Sequence, residues 1–481
     1  MKLFGIENIQ ARLRLVLLAG VAGLLATGCK TYEEKNKVIR YWQEGNLPAA
    51  VSEAKSRVDD NANNKDTIIW QLEQGAVLRA AGQYAASNDA FDKAQGKIDD
   101  YAQKAKVRVG QETGALLSNQ AELAYEGRSY DGIMLNTYKA LNYLALGQPD
   151  RARPELIRAY QRQQDAVDAN KKRLEKTQAA VDENKDKATI ERAQNDPKLQ
   201  SQLSGTTAGL DRVKVYSDYV NPFSVYLDGL YFLANAADAS DLERAHKSFE
   251  RVVSFAPDNP YVQQDLAASE AAIQGKPLPP ITYVVFETGC APSRGQIRID
   301  IPIIVSRVSY VGAAFPTLKM QESYLSGLTV SGGGTTAVTA TVASMDGVVV
   351  TDFKNELPVI ITKTIASTVV KAVAAYAIND AARTSGGGNV GLGNNIAGLL
   401  TQVATAAYQI AVNIADTRTW TTLPKEFQIA RLPTPADRKI DLTTSNGMKT
   451  SVTVGDGVVN VVYVKSINPG TPLLVSQFKL K

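Results

Sequence analysis

"GKPLPPITYVVFETG", Gly275 to Gly289, is where the chain changes character. Pro277, Pro279 and Pro280 end a helical run, because proline has no amide donor and its ring blocks the preceding turn. "ITYVVFE" then follows, β-branched and aromatic, which predicts a strand. The residues before this point carry a helical period, and those after it read mainly as strands. The expectation is an α+β chain: a helical domain over 29–276 and a β-rich, sandwich-like antiparallel domain over 281–481, with helices inserted near 355–415.

Upstream, the helical half repeats itself. In "GAVLRAAGQYAASNDAFDKA" the residues Gly75, Leu78, Gly82, Tyr84, Ser87, Phe91 and Ala94 stand at the spacing of two antiparallel helices that approach through small residues and fill the gap with large ones. The pattern returns at Ala140, Tyr143, Gly147, Ala152, Leu156 and Ala159. Partial copies lie at Tyr41, Gly45, Leu47, Ala50 and Ala54, and at Gly229, Phe232, Ala245, Phe249 and Pro257. This spacing resembles the tetratricopeptide repeat, a stack of helix pairs of ~34 residues each. The gap from Gly82 to Gly147 is about two such units, which predicts one more degenerate pair over 109–134.

One stretch interrupts the repeats. "AYQRQQDAVDANKKRLEKTQAAVDENKDKA" places Tyr160, Val167, Leu174, Val181 and Ala188 seven residues apart, with Gln163, Asn170, Thr177 and Asn184 between them. So thin an apolar seam predicts a weak coiled coil. The region 160–215 reads as a long solvated helical insertion that leaves the repeat body and returns between Pro197 and Asp218, with a partner-docking arm as the alternative.

Downstream, strands are expected in "QIRIDIPIIV", "GLTVSG", "TAVTATVA", "FQIARLP", "RKIDLTT", "KTSVTVGDG", "VVNVVYVKSI" and "LLVSQFKL". The last four look like an antiparallel meander, with Asp456-Gly457 suited to a hairpin turn. Two apolar helices are expected, over Asn355–Arg383 and Asn395–Ala415, both packed in the core. The loop "TSGGGNVGLGN" between them lacks the lysine of a phosphate cradle and the preceding strand of a dinucleotide site.

The first residues supply an address. Lys2, Arg12 and Arg14 precede the uncharged run Leu15–Leu25, too short to span a bilayer. Small residues Ala26, Thr27 and Gly28 then lead to Cys29, the form of a secretory signal over 1–28. "LLATGCK" resembles the lipobox of bacterial lipoproteins. That resemblance implies acylation of Cys29 and, with Lys30 rather than aspartate following, a place at the periplasmic face of the outer membrane. "ADTRTWTTLPKEFQIARLPTP" (415–435) and "FETGCAPSRGQIRIDIP" resemble segments of a family of repeat-containing bacterial lipoproteins that offers no activity to carry over.

Chemistry is sparse. His246 is the one histidine, and Cys290 is the one cysteine besides Cys29. No nucleophile motif, metal set or cofactor motif stands out. Asp59-Asp60 and Asp99-Asp100 read as solvated pairs. A net charge of +4 makes no electrostatic case for nucleic acid. The expectation is a non-enzymatic, lipid-anchored scaffold that binds envelope proteins in the groove of its repeats. An envelope hydrolase acting on peptidoglycan or polysaccharide, and a subunit of a surface or secretion assembly, are the alternatives. Labelling cells with an alkyne palmitate tests the anchor: the chain takes up label, and Cys29→Ser removes it.

Overall fold

The computed structural model describes residue 32 and residues 36–107, 120–217, 219–305, 308–384 and 414–481. Cys29 and its leader, the glycine-rich loop beyond Thr384, and all but the last two residues of the expected second apolar helix lie outside these.

Helices pair in sequence order. α1 (Lys37–Gln43) packs on α2 (Leu47–Asp60), α3 (Thr67–Ala80) on α4 (Tyr84–Val107), α5 (Ser129–Ala145) on α6 (Pro149–Asp182), and α9 (Pro222–Ala234) on α10 (Ala239–Phe255), which leads into α11 (Pro260–Ile273). Three of the hairpins turn identically. Gly45, Gly82 and Gly147 have φ near +70°, and the amide after each bonds a carbonyl five residues back, as in Gln83 N to Leu78 O at 2.9 Å. That left-handed turn is what selects glycine. Gly82 was expected to allow close helix approach, but a Cβ built there meets nothing. Gly75 is the close-approach residue: its Cβ would stand 2.3 Å from Phe91 Cε1.

Leu78, Phe91, Ala94, Ala50, Tyr143, Ala152, Ala159, Ala245 and Phe249 are buried as packing residues. Tyr84 is only half-buried, and Pro257 is exposed in the turn before α11. The extra helix pair does not form in the described part of 109–134. Gln120–Glu122 is a single 3-10 turn, and α5 already begins at Ser129.

Two sheets follow. One has the order β11-β10-β1-β7-β6: β1 (Ile281–Thr288), β6 (Ala340–Ser344), β7 (Glu426–Pro433), β10 (Val459–Ser466) and β11 (Leu474–Lys479). The other has the order β5-β4-β8-β9: β4 (Leu328–Gly332), β5 (Thr335–Val338), β8 (Lys439–Thr444) and β9 (Lys449–Thr453). Val284, Phe286, Val462 and Val464 of the first pack on Val330, Ile440 and Leu442 of the second, giving the sandwich. The sheet is not purely antiparallel, because β1 and β10 run parallel. Nor are the last four strands a meander. The Asp456-Gly457 turn carries the chain from the second sheet to the first, so β9 and β10 never pair.

The other face of the first sheet is covered by helices. Tyr283, Val285, Val461, Tyr463 and Phe427 share one core with Leu72, Val77, Tyr138, Phe223 and Leu230. α5 is buried from Tyr130 to Leu144 and α9 along its whole length, the pattern of helices enclosed on every side. The groove of the helical stack, expected to receive a partner, is therefore filled by the chain's own sheet. The proline-rich boundary separates two kinds of secondary structure within one continuous core.

A second core lies apart from the first. α6 has 34 residues and is about 50 Å long. Its far end, with α7 (Lys187–Gln194) and α8 (Pro197–Ser204), packs on a ribbon of β2 (Ser293–Val305) and β3 (Val308–Lys319), and on α12 (Met345–Thr384). Val181, Ile190, Leu199 and Leu203 meet Ile299, Ile301, Ile303, Val311, Phe315, Ile365 and Val369 there. The insertion is thus docked and not simply solvated. Its heptad seam is split: Tyr160, Val167 and Leu174 are exposed, whereas Val181 and the alternate positions Gln163 and Thr177 are buried. α12 begins ten residues before the expected helix. Met345–Ala374 is long and apolar enough to cross a membrane, yet half of its most apolar window is buried inside the fold.

Gly75→Ala drives a methyl against Phe91 and is expected to cost about 1–3 kcal/mol, read as a lowered unfolding midpoint. Phe91→Leu in the same chain, which makes room for that methyl, should recover part of the loss.

Candidate functional site at the rim of the helix–sheet interface

The interface between helices and sheet is closed over β1, β7 and β10 and opens at β11. A cleft of about 350 Å³ lies at this rim, lined by Ala76, Arg79, Tyr84, Tyr138, Glu287, Tyr463, Lys465 and Leu474–Ser476. The sheet register assembles it. Glu287 is level with Lys465 across the parallel pair, Lys465 faces Leu474, and Tyr463 faces Ser476. Alternate residues of a strand share a face, so Glu287 and Lys465 follow Tyr283, Val285, Val461 and Tyr463 toward the helices.

Glu287 is 1% exposed. It accepts hydrogen bonds from Tyr138 Oη at 2.7 Å and Tyr463 Oη at 2.6 Å, and pairs with Lys465 Nζ. Burial works to raise its pKa, but the charges of Lys465 and Arg79 and these bonds outweigh it, so the carboxyl lies below its usual range and stays ionised. Arg79 reaches in from the last turn of α3. Its Nη1 donates to Asn142 Oδ1 at 2.9 Å, and its Cζ lies 5.2 Å from the ring centroid of Tyr138 and 4.6 Å from that of Tyr463. Lys465 Nζ stands 4.8 Å from the Trp42 ring.

Cys290, just past β1, is buried, and burial first of all pushes its thiol up to about 11, leaving it protonated at neutral pH. Such a thiol is a poor nucleophile. His246 bonds Ser269 at 3.1 Å and stands 3.4 Å from Glu250, on the α10–α11 side. The two residues share no partner and form no dyad. Asp59-Asp60 and Asp99-Asp100 are exposed, as expected.

The stretch 415–435 holds the halves together from inside. Glu73 of α3, fully buried, accepts from Thr421 N at 2.8 Å, from Thr422 Oγ1 at 2.8 Å and from Asn36 Nδ2 at 3.5 Å, and also bonds Thr421 Oγ1. Arg418 pairs with Asp416 and Asp66, each at 2.8 Å. Trp420 lies edge-on to Phe91 and Tyr138, so it seats among the helices. Sequence reading missed Glu73, Arg79, Glu287 and Lys465. Their signal is a lone charge at an inward position of an otherwise apolar element.

A second buried cluster sits at the root of the projecting module. Glu356 bonds Arg128 at 2.7 Å and Arg294 at 2.8 Å, with Arg173 at 4.0 Å, and Asp352 lies 3.8 Å from Arg294. The arginine charges overcome the effect of burial and hold Glu356 below the usual carboxylate range, whereas burial and the charge of Glu356 raise Asp352. Neither carboxylate lines the cleft. Neither a family model, nor a curated protein, nor a solved structure matches this chain.

Burial lifts Glu73 from 4.5 to about 7. Between those values the folded chain keeps a proton that the unfolded chain releases. The stability tied to this group is therefore full below pH 4.5 and is lost as pH rises through 7. Glu73→Gln cannot titrate. The stability of the parent relative to this variant should fall by roughly 1 kcal/mol per pH unit across that window, measured by denaturant unfolding at several pH values.

Proposed function

We propose that the chain is a lipid-anchored scaffold at the periplasmic face of the outer membrane, built on tetratricopeptide-like hairpins and engaging envelope proteins through the outside of its projecting module. The lipobox resemblance at Cys29 supports the anchor. The three identical glycine turns and the Gly75–Phe91 contact support the repeat assignment, with α1–α2, α3–α4, α5–α6 and α9–α10 as its units.

The observation that carries the interaction role is on α6. Its inner face, Gln163, Ala166, Thr177 and Ala180, is buried. Its outer face presents Ile157, Tyr160, Val167 and Leu174, which are 38–42% exposed. Residues three, four and seven apart share one helix face, so these four form a spaced apolar row, one about every two turns beyond Tyr160. Because the groove of the helical stack is already occupied, the row takes over the part that the groove was expected to play. A partner helix laid along it would bury the four side chains, each contributing on the order of 1–2 kcal/mol.

A photo-crosslinking residue at Val167 in living cells should give one discrete adduct, and the same residue at Asp60 should give none. Tyr160→Lys with Leu174→Lys should abolish the adduct. A diffuse smear, or equal adducts at both positions, would sink the proposal.

A further inference from the structure

Buried arginines in this chain come with carboxylates. Arg294 and Arg128 have Glu356, Arg418 has Asp416 and Asp66, and Arg431 has Asp265. That is the usual rule, because an uncompensated buried charge is costly. Arg79 departs from it. It is 9% exposed, its hydrogen-bond partners are the neutral Asn142 and Tyr463, its guanidinium lies against the rings of Tyr138 and Tyr463, and the carboxylate whose charge reaches it is Glu287. No carboxylate among the described residues lies within ion-pair distance of its guanidinium. The nearby Glu287 is already engaged by Lys465 and both tyrosine hydroxyls. The site therefore holds two cations and one anion.

This surplus charge lines a cavity. The cleft falls within the size range of small-molecule sites, ~300–1,000 Å³. Its walls beyond Arg79 are Ala76, Ala80, Tyr84, Leu474 and Val475. We propose that the rim cleft is a binding site for a monocarboxylate on a short apolar body, with the carboxylate on Arg79 and the apolar part against Ala80, Tyr84 and Leu474. One added negative charge balances the site. A guanidinium meets a carboxylate through two parallel hydrogen bonds, which selects this group over a neutral amide. Such a carboxylate has two sources: a free small acid, or the C-terminus of a peptide lying along β11. β11 is an edge strand, so its outer backbone groups can pair with an added strand. The site is independent of the α6 row, and either proposal stands if the other fails.

Titration calorimetry on the full chain in detergent tests it, with N-acetyl-valine, its amide, and the peptide acetyl-Thr-Val-Thr-Val with a free carboxylate. The expected result is binding of the two acids and at least tenfold weaker binding of the amide. Arg79→Gln should weaken both acids by about tenfold or more. Ser476→Trp, which fills the cleft from the edge strand and leaves the Arg79 residue in place, should do the same, and guards against Arg79→Gln acting through misfolding. The tetrapeptide binding more tightly than N-acetyl-valine assigns the site to a peptide C-terminus, and equal binding assigns it to a small acid. Acid and amide binding alike, no binding of either acid at about 1 mM, or acid binding unchanged in both variants overturns the proposal.

Discussion

Enclosed helices need cover. α5 and α9 expose almost nothing of themselves, and α3 is buried along most of its length. Helices this apolar would be insoluble if one flank faced water, and the outer helices α2, α4 and α10 cover only one side of the row. The sheet face carrying Tyr283, Val285, Val461 and Tyr463 covers the other. Burial of apolar surface of this kind is the largest favourable term in folding. It joins into one body what the change of period at Gly275–Gly289 divides. Without it the glycine turns and the Gly75–Phe91 contact would shape hairpins with nothing to close them.

Polar chemistry then fixes how the layers meet. Glu73 gathers the amide and hydroxyl of Thr421 and the hydroxyl of Thr422, Arg418 gathers Asp66 and Asp416, and Glu287 ties Tyr138 of α5 to Tyr463 and Lys465 of β10. These bonds are directional, whereas the apolar contacts around them tolerate sliding. A buried carboxylate that loses its donors costs far more than a displaced methyl. Apolar cover thus supplies the adhesion, and the buried ionic bonds set the register. The projecting module has a different root, the Arg128–Glu356–Arg294 cluster, and its own apolar centre around Ile301 and Phe315.

Local chemistry was legible in the sequence. Prolines 277, 279 and 280 marked the change of period, and the spacing of Gly75 and Phe91 marked a hairpin. β3 was missed because "VSYVGAAFPTLK" mixes Gly312, Ala313, Ala314 and Pro316 into a strand whose extended form depends on pairing with β2. The docking of the far end of α6 was missed because a seven-residue period identifies a face without saying what covers the rest of the helix. Strand order was beyond reach for a similar reason. Nothing local in Val459–Ser466 says that it runs beside Ile281–Thr288 and not beside the preceding strand. The lone charges Glu287 and Lys465 were readable as oddities, but their meeting depends on that parallel register.

The parallel pairing of β1 with β10 also has a consequence in time. Glu287 and Lys465 are 178 positions apart in the chain. The row α3, α5 and α9 is therefore synthesised well before β10 can reach it. During that interval the finished hairpins offer an open apolar trough to whatever is near. Long-range pairings of this kind close slowly, because a large loop must be ordered before any contact rewards it. The same surface that makes the finished molecule self-contained stands uncovered in its half-synthesised form.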